Sequence, residues 1–235
     1  MPDRHARERV GEVLGELERM ADPARLVGMA RYGIDTDTAL GVTVTELRAL
    51  ARRIGRDHDL AGALWDTRTH EARMLATMVD DPARVTEAQM ETWVRDLASW
   101  DLCDGLCGNL LDRTPFAFAK AVEWSSRDEE FVKRAGFALM ACSAVHRKDV
   151  DDERFETFLP VIRAEATDDR NYVRKAVSWA LRQIGKRSLR LHAQAIATAE
   201  EIRELDSRTA RWIASDVLRE LTSDAVHERL SARSR

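Results

Sequence analysis

Glycine and proline are scarce in this chain: 235 residues hold 11 Gly and 5 Pro. Helix breakers are therefore few, and segments that alternate apolar and polar residues between hairpin turns are absent. Disorder is excluded as well, because 44 % of the residues are hydrophobic and 33 % are charged. No apolar run approaches the roughly 18–20 residues that span a bilayer. The opening Met1-Pro2-Asp3-Arg4-His5 leads into charged, helix-like sequence, so no secretory signal is expected. Three cysteines form an odd set, read as free thiols in a reducing cytoplasm. Gly-rich phosphate loops and Ser-His-Asp motifs are missing.

Metal chemistry has little to work with. Cys103 and Cys107 are four residues apart beside Asp104. Two thiols and one carboxylate on one helix make a poor tetrahedral set, and no His is close in sequence. They are expected to be small buried hydrophobes. His58, His70 and His146 lack metal-motif spacing and read as surface or helix-end residues. No metal or other cofactor is expected.

What is present is helical periodicity, and the fold class expected is all-α. Val10, Leu14, Leu17 and Met20 recur at helical spacing, Asp22-Pro23 breaks the pattern, and 32–42 reads as an irregular connection. Thr45-Glu46 opens the next helix, with Leu47, Leu50 and Ile54 on one face, and periodic segments continue to about residue 222. Phe131-Val132-Lys133-Arg134-Ala135 is echoed by Tyr172-Val173-Arg174-Lys175-Ala176, a shift of 41 residues. Looser echoes are Glu71-Ala72-Arg73-Met74 and Thr209-Ala210-Arg211-Trp212. Such spacing belongs to HEAT-like helical-repeat solenoids, stacked antiparallel helix pairs with one helix of each pair lining a concave face. Pro82, Pro115 and Pro160 fall where helix starts are expected. With no linker visible, 1–235 reads as a single domain. Trp65, Trp93, Trp124 and Trp212 sit among aliphatic positions and are expected in the core.

The net charge of −4 argues against a nucleic-acid partner, but the charge is segregated. Arg170, Arg174, Lys175, Arg182, Lys186, Arg187 and Arg190 occur in a stretch without Asp or Glu, after an acidic run from Asp149 to Glu156. Within it Lys175, Trp179, Arg182 and Lys186 form one helical stripe, and Val173, Val177, Leu181 and Ile184 form another. Cations bracketing an aromatic suit a phosphate backbone with a sugar or base on the ring. The same pattern fits a core Trp179 beside a solvated cationic face. Arg134 is the repeat-equivalent of Lys175, so a solenoid would set both on one surface.

Trp100 and Asp104 also share a helical face, with Leu102 and Leu106 on the packing side. A carboxylate beside an indole can stabilise a cationic transition state. A surface Asp beside a core Trp fits the spacing equally.

Taken in order, Trp100-Asp101-Leu102-Cys103-Asp104, Arg134-Ala135 and Trp179-Ala180-Leu181-Arg182 resemble the AlkD-type alkylpurine DNA glycosylases. Met29-Ala30-Arg31-Tyr32 and Leu40-Gly41-Val42 are similar to that family's N-terminal segment. The resemblance runs over about residues 25–188. It implies excision of cationic N3- and N7-alkylated purines from double-stranded DNA without the usual base flipping. Asp104 would be the catalytic carboxylate, with Trp100 and Trp179 around the damaged nucleotide. Arg134, Arg182, Lys175 and Lys186 would contact DNA, and Tyr32 would share the concave surface. The protein would act as a monomer, with no membrane partner. A non-catalytic repeat scaffold that binds DNA or protein is the alternative.

Overall fold

A computed structural model of the protein describes residues 4–233; the opening Met1-Pro2-Asp3 lies outside them. The regular elements of the described residues are all helices, with no strand. They form two compact units, Met1–Thr114 and Pro115–Arg235. Among the described residues no helix is long and apolar enough to cross a membrane.

Unit 1 contains α1 (Arg4–Met20), α2 (Pro23–Arg31), α3 (Val44–Ile54), α4 (His58–Asp66), α5 (His70–Val79), α6 (Glu87–Arg95) and α7 (Trp100–Asn109), then a 3-10 turn at Leu111–Arg113. Helix starts follow side-chain chemistry. Asp22 accepts from Ala24 N ahead of Pro23, and Asp57 accepts from Leu60 N. Helix α3 begins at Val44 because Thr43 and Glu46 form a reciprocal capping box. Helix α5 lies against α3, α4 and α7, which makes it the buried centre of the unit. Trp65 and Trp93 stack with ring centroids 4.2 Å apart, and Trp65 Nε1 donates to Asp96. Both are core residues, as expected.

Unit 2 contains α8 (Ala117–Ser125), α9 (Glu130–His146), α10 (Asp152–Glu156), α11 (Leu159–Ala164), α12 (Asn171–Gly185), α13 (Leu189–Arg203), α14 (Arg208–Leu221) and α15 (Asp224–Arg233). The repeat echo marks homologous starts: Glu130 opens α9 and Asn171 opens α12. Helix α12 packs against α9 on one side and α14 on the other, while α13 backs both α12 and α14. Val173, Val177, Leu181 and Ile184 are all buried, so the apolar stripe of α12 performs the packing expected of it. Trp124 is core. Trp212 is not: it is 38 % exposed, on the solvent side of α14, under the Arg174 guanidinium. Pro115 and Pro160 lie at helix starts. Pro82 instead occupies a turn closed by Arg84 N donating to Asp81 O.

Helices α8 and α9 approach closely at Gly136. A Cβ there would lie 2.6 Å from Ser125 N and 2.9 Å from Ala121 O, both backbone atoms that cannot swing aside. Gly136→Ala is therefore expected to lower unfolding free energy by about 1–3 kcal/mol, the usual cost of overpacking. Urea unfolding monitored by circular dichroism measures it. An unchanged midpoint would mean that the two helices separate at little cost.

Candidate functional site

Helix α7 is fixed to α5 along one stripe. His70 Nε2 donates to Asp101 Oδ2 at 2.9 Å. One turn on, Gly105 leaves room for Met74, whose Sδ would sit 2.6 Å from an added Cβ. A further turn on, Asn109 Nδ2 donates to Thr77 Oγ1 at 2.9 Å. Positions 101, 105 and 109 thus face α5 at i, i+4 and i+8, and Leu102, Cys103, Leu106 and Cys107 are buried beside them. Trp100 and Asp104 belong to the adjacent stripe and are half-buried.

The start of α5 also organises the chain before α3. Glu71 is buried, and its carboxylate accepts from Leu40 N (2.8 Å), Gly41 N (2.7 Å) and Val42 N (3.3 Å). His70 N donates to Thr38 O at 3.1 Å. Gly41 has φ +81, and a Cβ there would collide with Asp22 O. The loop so held leads back to Tyr32, whose carbonyl accepts from Trp100 Nε1 at 2.8 Å. Tyr32 and Trp100 are therefore brought together, though through the Tyr32 backbone. Tyr32 itself is 76 % exposed.

His70 takes the helix-end position, one of the two expected of it, but it is not on the surface. It opens α5 and is only 7 % exposed. Burial works against its imidazolium, yet the hydrogen bond and charge of Asp101, with the charges of Glu71 and Asp35, raise its pKa. Burial likewise works against the Asp101 carboxylate, and His70 and Ser99 hold its pKa below the ordinary range. His58 and His146 do lie at helix ends, and His58 Nδ1 meets Asp80 Oδ1 at 2.6 Å. Among the described residues no group of His, Cys, Asp and Glu is arranged to hold a metal ion.

In unit 2 the expected cationic stripe is largely matched by carboxylates. Arg182 pairs with Glu220 and lies 3.5 Å from Asp216, and Lys186 also pairs with Glu220. Burial works against the Glu220 carboxylate, but Lys186 and Arg182 hold its pKa down. The acidic run of 149–156 folds back on the basic stretch: Arg187 pairs with Asp152, and Arg190 with Glu153 and Glu156. Charge separated along the sequence is neutralised in space. Lys175 is exposed and forms no ion pair among the described residues. Trp179 is half-buried between Lys175 and Arg182 on the same helix.

Arg134 differs most from expectation. It is 6 % exposed and its Nη1 donates to Tyr172 O at 2.7 Å, which ties α9 to the first turn of α12. A buried guanidinium spent on a carbonyl acceptor is not an exposed phosphate contact. Its neighbour Lys133 is equally committed, to Glu165 and Asp168. Burial opposes the Asp168 charge, yet Arg170 and Lys133 pull its pKa down to about 2.

A family model described as "DNA alkylation repair enzyme" matches residues 13–225. The chain belongs to that family. A solved structure described as "a new family of proteins related to the HEAT-like repeat DNA glycosylases with affinity for branched DNA structures" is similar in fold. The TM-score is 0.75 at 18 % identity, over 89 % of this chain and 94 % of that one. No curated protein matches the chain. The all-α, HEAT-like repeat architecture expected from the 41-residue echo is thus the architecture found.

Within this member of the DNA alkylation repair family, sequence reasoning missed His70 and Glu71. The one available signal was their position in the loose echo at Glu71-Ala72-Arg73-Met74, which marks a helix start. The pair His70–Asp101 yields a pH prediction. His70 has a raised pKa, so its contribution is complete below its ordinary 6.5 and is lost as pH rises through the folded value. Asp101 has a lowered pKa, so its contribution is complete above its ordinary 3.8 and is lost as pH falls through the folded value. Stability from the pair should be greatest between those limits and fall on the alkaline side. His70→Gln should remove that alkaline fall in thermal unfolding curves. An identical pH profile in the variant would show that the pair does not titrate with folding.

Proposed function

We propose that the protein is a DNA glycosylase that hydrolyses the N-glycosidic bond of cationic N3- and N7-alkylated purines. The observation that supports this reading most is the half-buried Trp100–Asp104 stripe on α7, oriented by the contacts of the next stripe with α5. An alkylated purine is already positive, so it can leave C1′ with the bonding electron pair and become neutral without a general acid. The sugar is left oxocarbenium-like. Asp104 supplies a negative charge to that centre and Trp100 an indole face. Water then attacks C1′, Asp104 takes up its proton, and the products are free base and an abasic site. Trp179, Lys175, Arg182 and Lys186 of unit 2, and Tyr32 of unit 1, are assigned to the DNA.

A second reading is a non-catalytic DNA-binding scaffold. The affinity of the structural neighbour's family for branched DNA favours it. The pairing of Arg182 and Lys186 with Glu220 bears on both readings alike, because phosphates must compete with a carboxylate already in place.

Release of 7-methylguanine from methylated duplex DNA separates the two. Asp104→Asn keeps shape and removes charge, so single-turnover excision should fall on the order of 100-fold or more while DNA affinity changes little. Excision by Asp104→Asn at the wild-type rate would remove Asp104 from catalysis. DNA binding by the wild type without base release would establish the scaffold.

Glu220→Gln tests the DNA surface of unit 2. Freeing Arg182 and Lys186 should tighten binding and steepen the fall of affinity with salt, since more phosphates are neutralised. Weaker binding, or an unchanged salt slope, would place Arg182 and Lys186 outside the interface.

A further inference from the structure

Asp169, Arg174, Arg208, Thr209 and Trp212 line a cleft of about 550 Å³ in unit 2, between the approach to α12 and the start of α14. Its volume falls in the range of small-ligand sites. The Arg174 guanidinium lies over the Trp212 ring, 5.0 Å from the centroid, and donates through Nη2 to Asn171 Oδ1 at 3.2 Å. Its buried Nε has no hydrogen-bond partner among the described residues.

These cations differ from their neighbours. Arg170, Arg182, Lys186, Arg187 and Arg190 are each neutralised by a carboxylate. Arg174 and Arg208 form no ion pair among the described residues, and one carboxylate, Asp169, lines the cleft with them. Arg208 and Thr209 are in the first turn of α14, which contains no acidic residue. The positive end of a 14-residue helix therefore adds to two side-chain charges. Trp212, expected in the core from its aliphatic neighbours in sequence, is instead 38 % exposed and supplies an aromatic surface. A fixed cation over an indole, a second cation and a helix N-terminus together suit a ligand with an anionic group joined to a flat ring.

We propose that this cleft binds an unpaired nucleotide of a DNA strand. The phosphate sits between Arg174, Arg208 and the start of α14, and the base lies against the exposed part of Trp212. A base inside a duplex has both faces covered by its neighbours, so the indole selects for a nucleotide outside the stack. The assignment rests on the reading of the protein as DNA-binding, and it adds a preference for single-stranded character that the Trp100–Asp104 stripe does not supply.

The test uses the full chain and fluorescence anisotropy with two labelled probes, a blunt duplex and the same duplex with a single-stranded overhang. The wild type should bind the overhang probe roughly tenfold more tightly, as one stacked base and one phosphate contact provide. Arg208→Gln and Trp212→Leu should each cut that preference while leaving blunt-duplex affinity within about twofold. Asp169→Asn should enlarge it. Free nucleoside monophosphate should fail to displace the overhang probe at concentrations comparable to the DNA. Equal affinity of the wild type for both probes, or a full preference retained by Arg208→Gln and Trp212→Leu, overturns the proposal. Displacement by free nucleotide at such concentrations overturns it in favour of a nucleotide site. If neither probe binds at all, the DNA-binding reading fails and this assignment fails with it, an outcome distinct from loss of the preference alone.

Discussion

A carboxylate buried away from water has to be satisfied by donors that come to it, and Glu71 is satisfied by the backbone of Leu40, Gly41 and Val42. Much of unit 1 depends on that requirement. The loop can reach Glu71 because Gly41 adopts a left-handed conformation against the Asp22 carbonyl, where any Cβ would collide. The same loop carries Tyr32, whose carbonyl takes the Trp100 indole proton. One residue before Glu71, His70 takes hold of Asp101. The first turn of α5 thus fixes both the loop behind the indole and the helix that carries it. Removing either buried partner would strand an unpaired polar group, which costs more than the bond itself contributes. That asymmetry makes the arrangement rigid.

Unit 2 follows a different electrostatic logic. Its basic residues are numerous, yet most have been given carboxylates by neighbouring helices: Arg182 and Lys186 by Glu220, Arg187 by Asp152, and Lys133 by Glu165 and Asp168. A surface built this way presents little net field, in keeping with a chain whose overall charge is −4. Binding to duplex DNA then depends on cations such as Lys175, which forms no ion pair among the described residues, and on those that can exchange a carboxylate for a phosphate, as Arg182 and Lys186 can. Such a surface gives modest non-specific affinity and leaves more of the discrimination to shape and aromatic contact.

The helical stack is legible in the sequence because burial leaves a periodic record. Val173, Val177, Leu181 and Ile184 read as a packing stripe from their spacing alone, and the echo between Phe131 and Tyr172 locates two equivalent helices. The Trp100–Asp104 stripe is legible for the same reason, since residues four apart on a helix must share a side. Long-range partners leave no such record. A charged residue near a helix start has the same local pattern whether it is solvated, as Lys175 is, or buried, as Arg134 is. Their repeat-equivalent positions suggest one common role, but Arg134 is buried and donates to the Tyr172 carbonyl of α12. Asp101, next to Trp100 in the chain, faces away from the Trp100–Asp104 stripe. That side turns out to be the interface with α5, which gives the residue a structural role.

In the proposed reaction the first turn of α5 acts by orienting α7, and so Asp104. A double-mutant cycle on single-turnover release of 7-methylguanine tests it most directly, comparing wild type, His70→Gln, Asp104→Asn and the double variant. If His70 works only through the placement of Asp104, His70→Gln slows the wild type but changes nothing further once Asp104 is Asn. An equal fractional loss in both backgrounds would contradict the account, because His70 would then act independently of the carboxylate it is held to position.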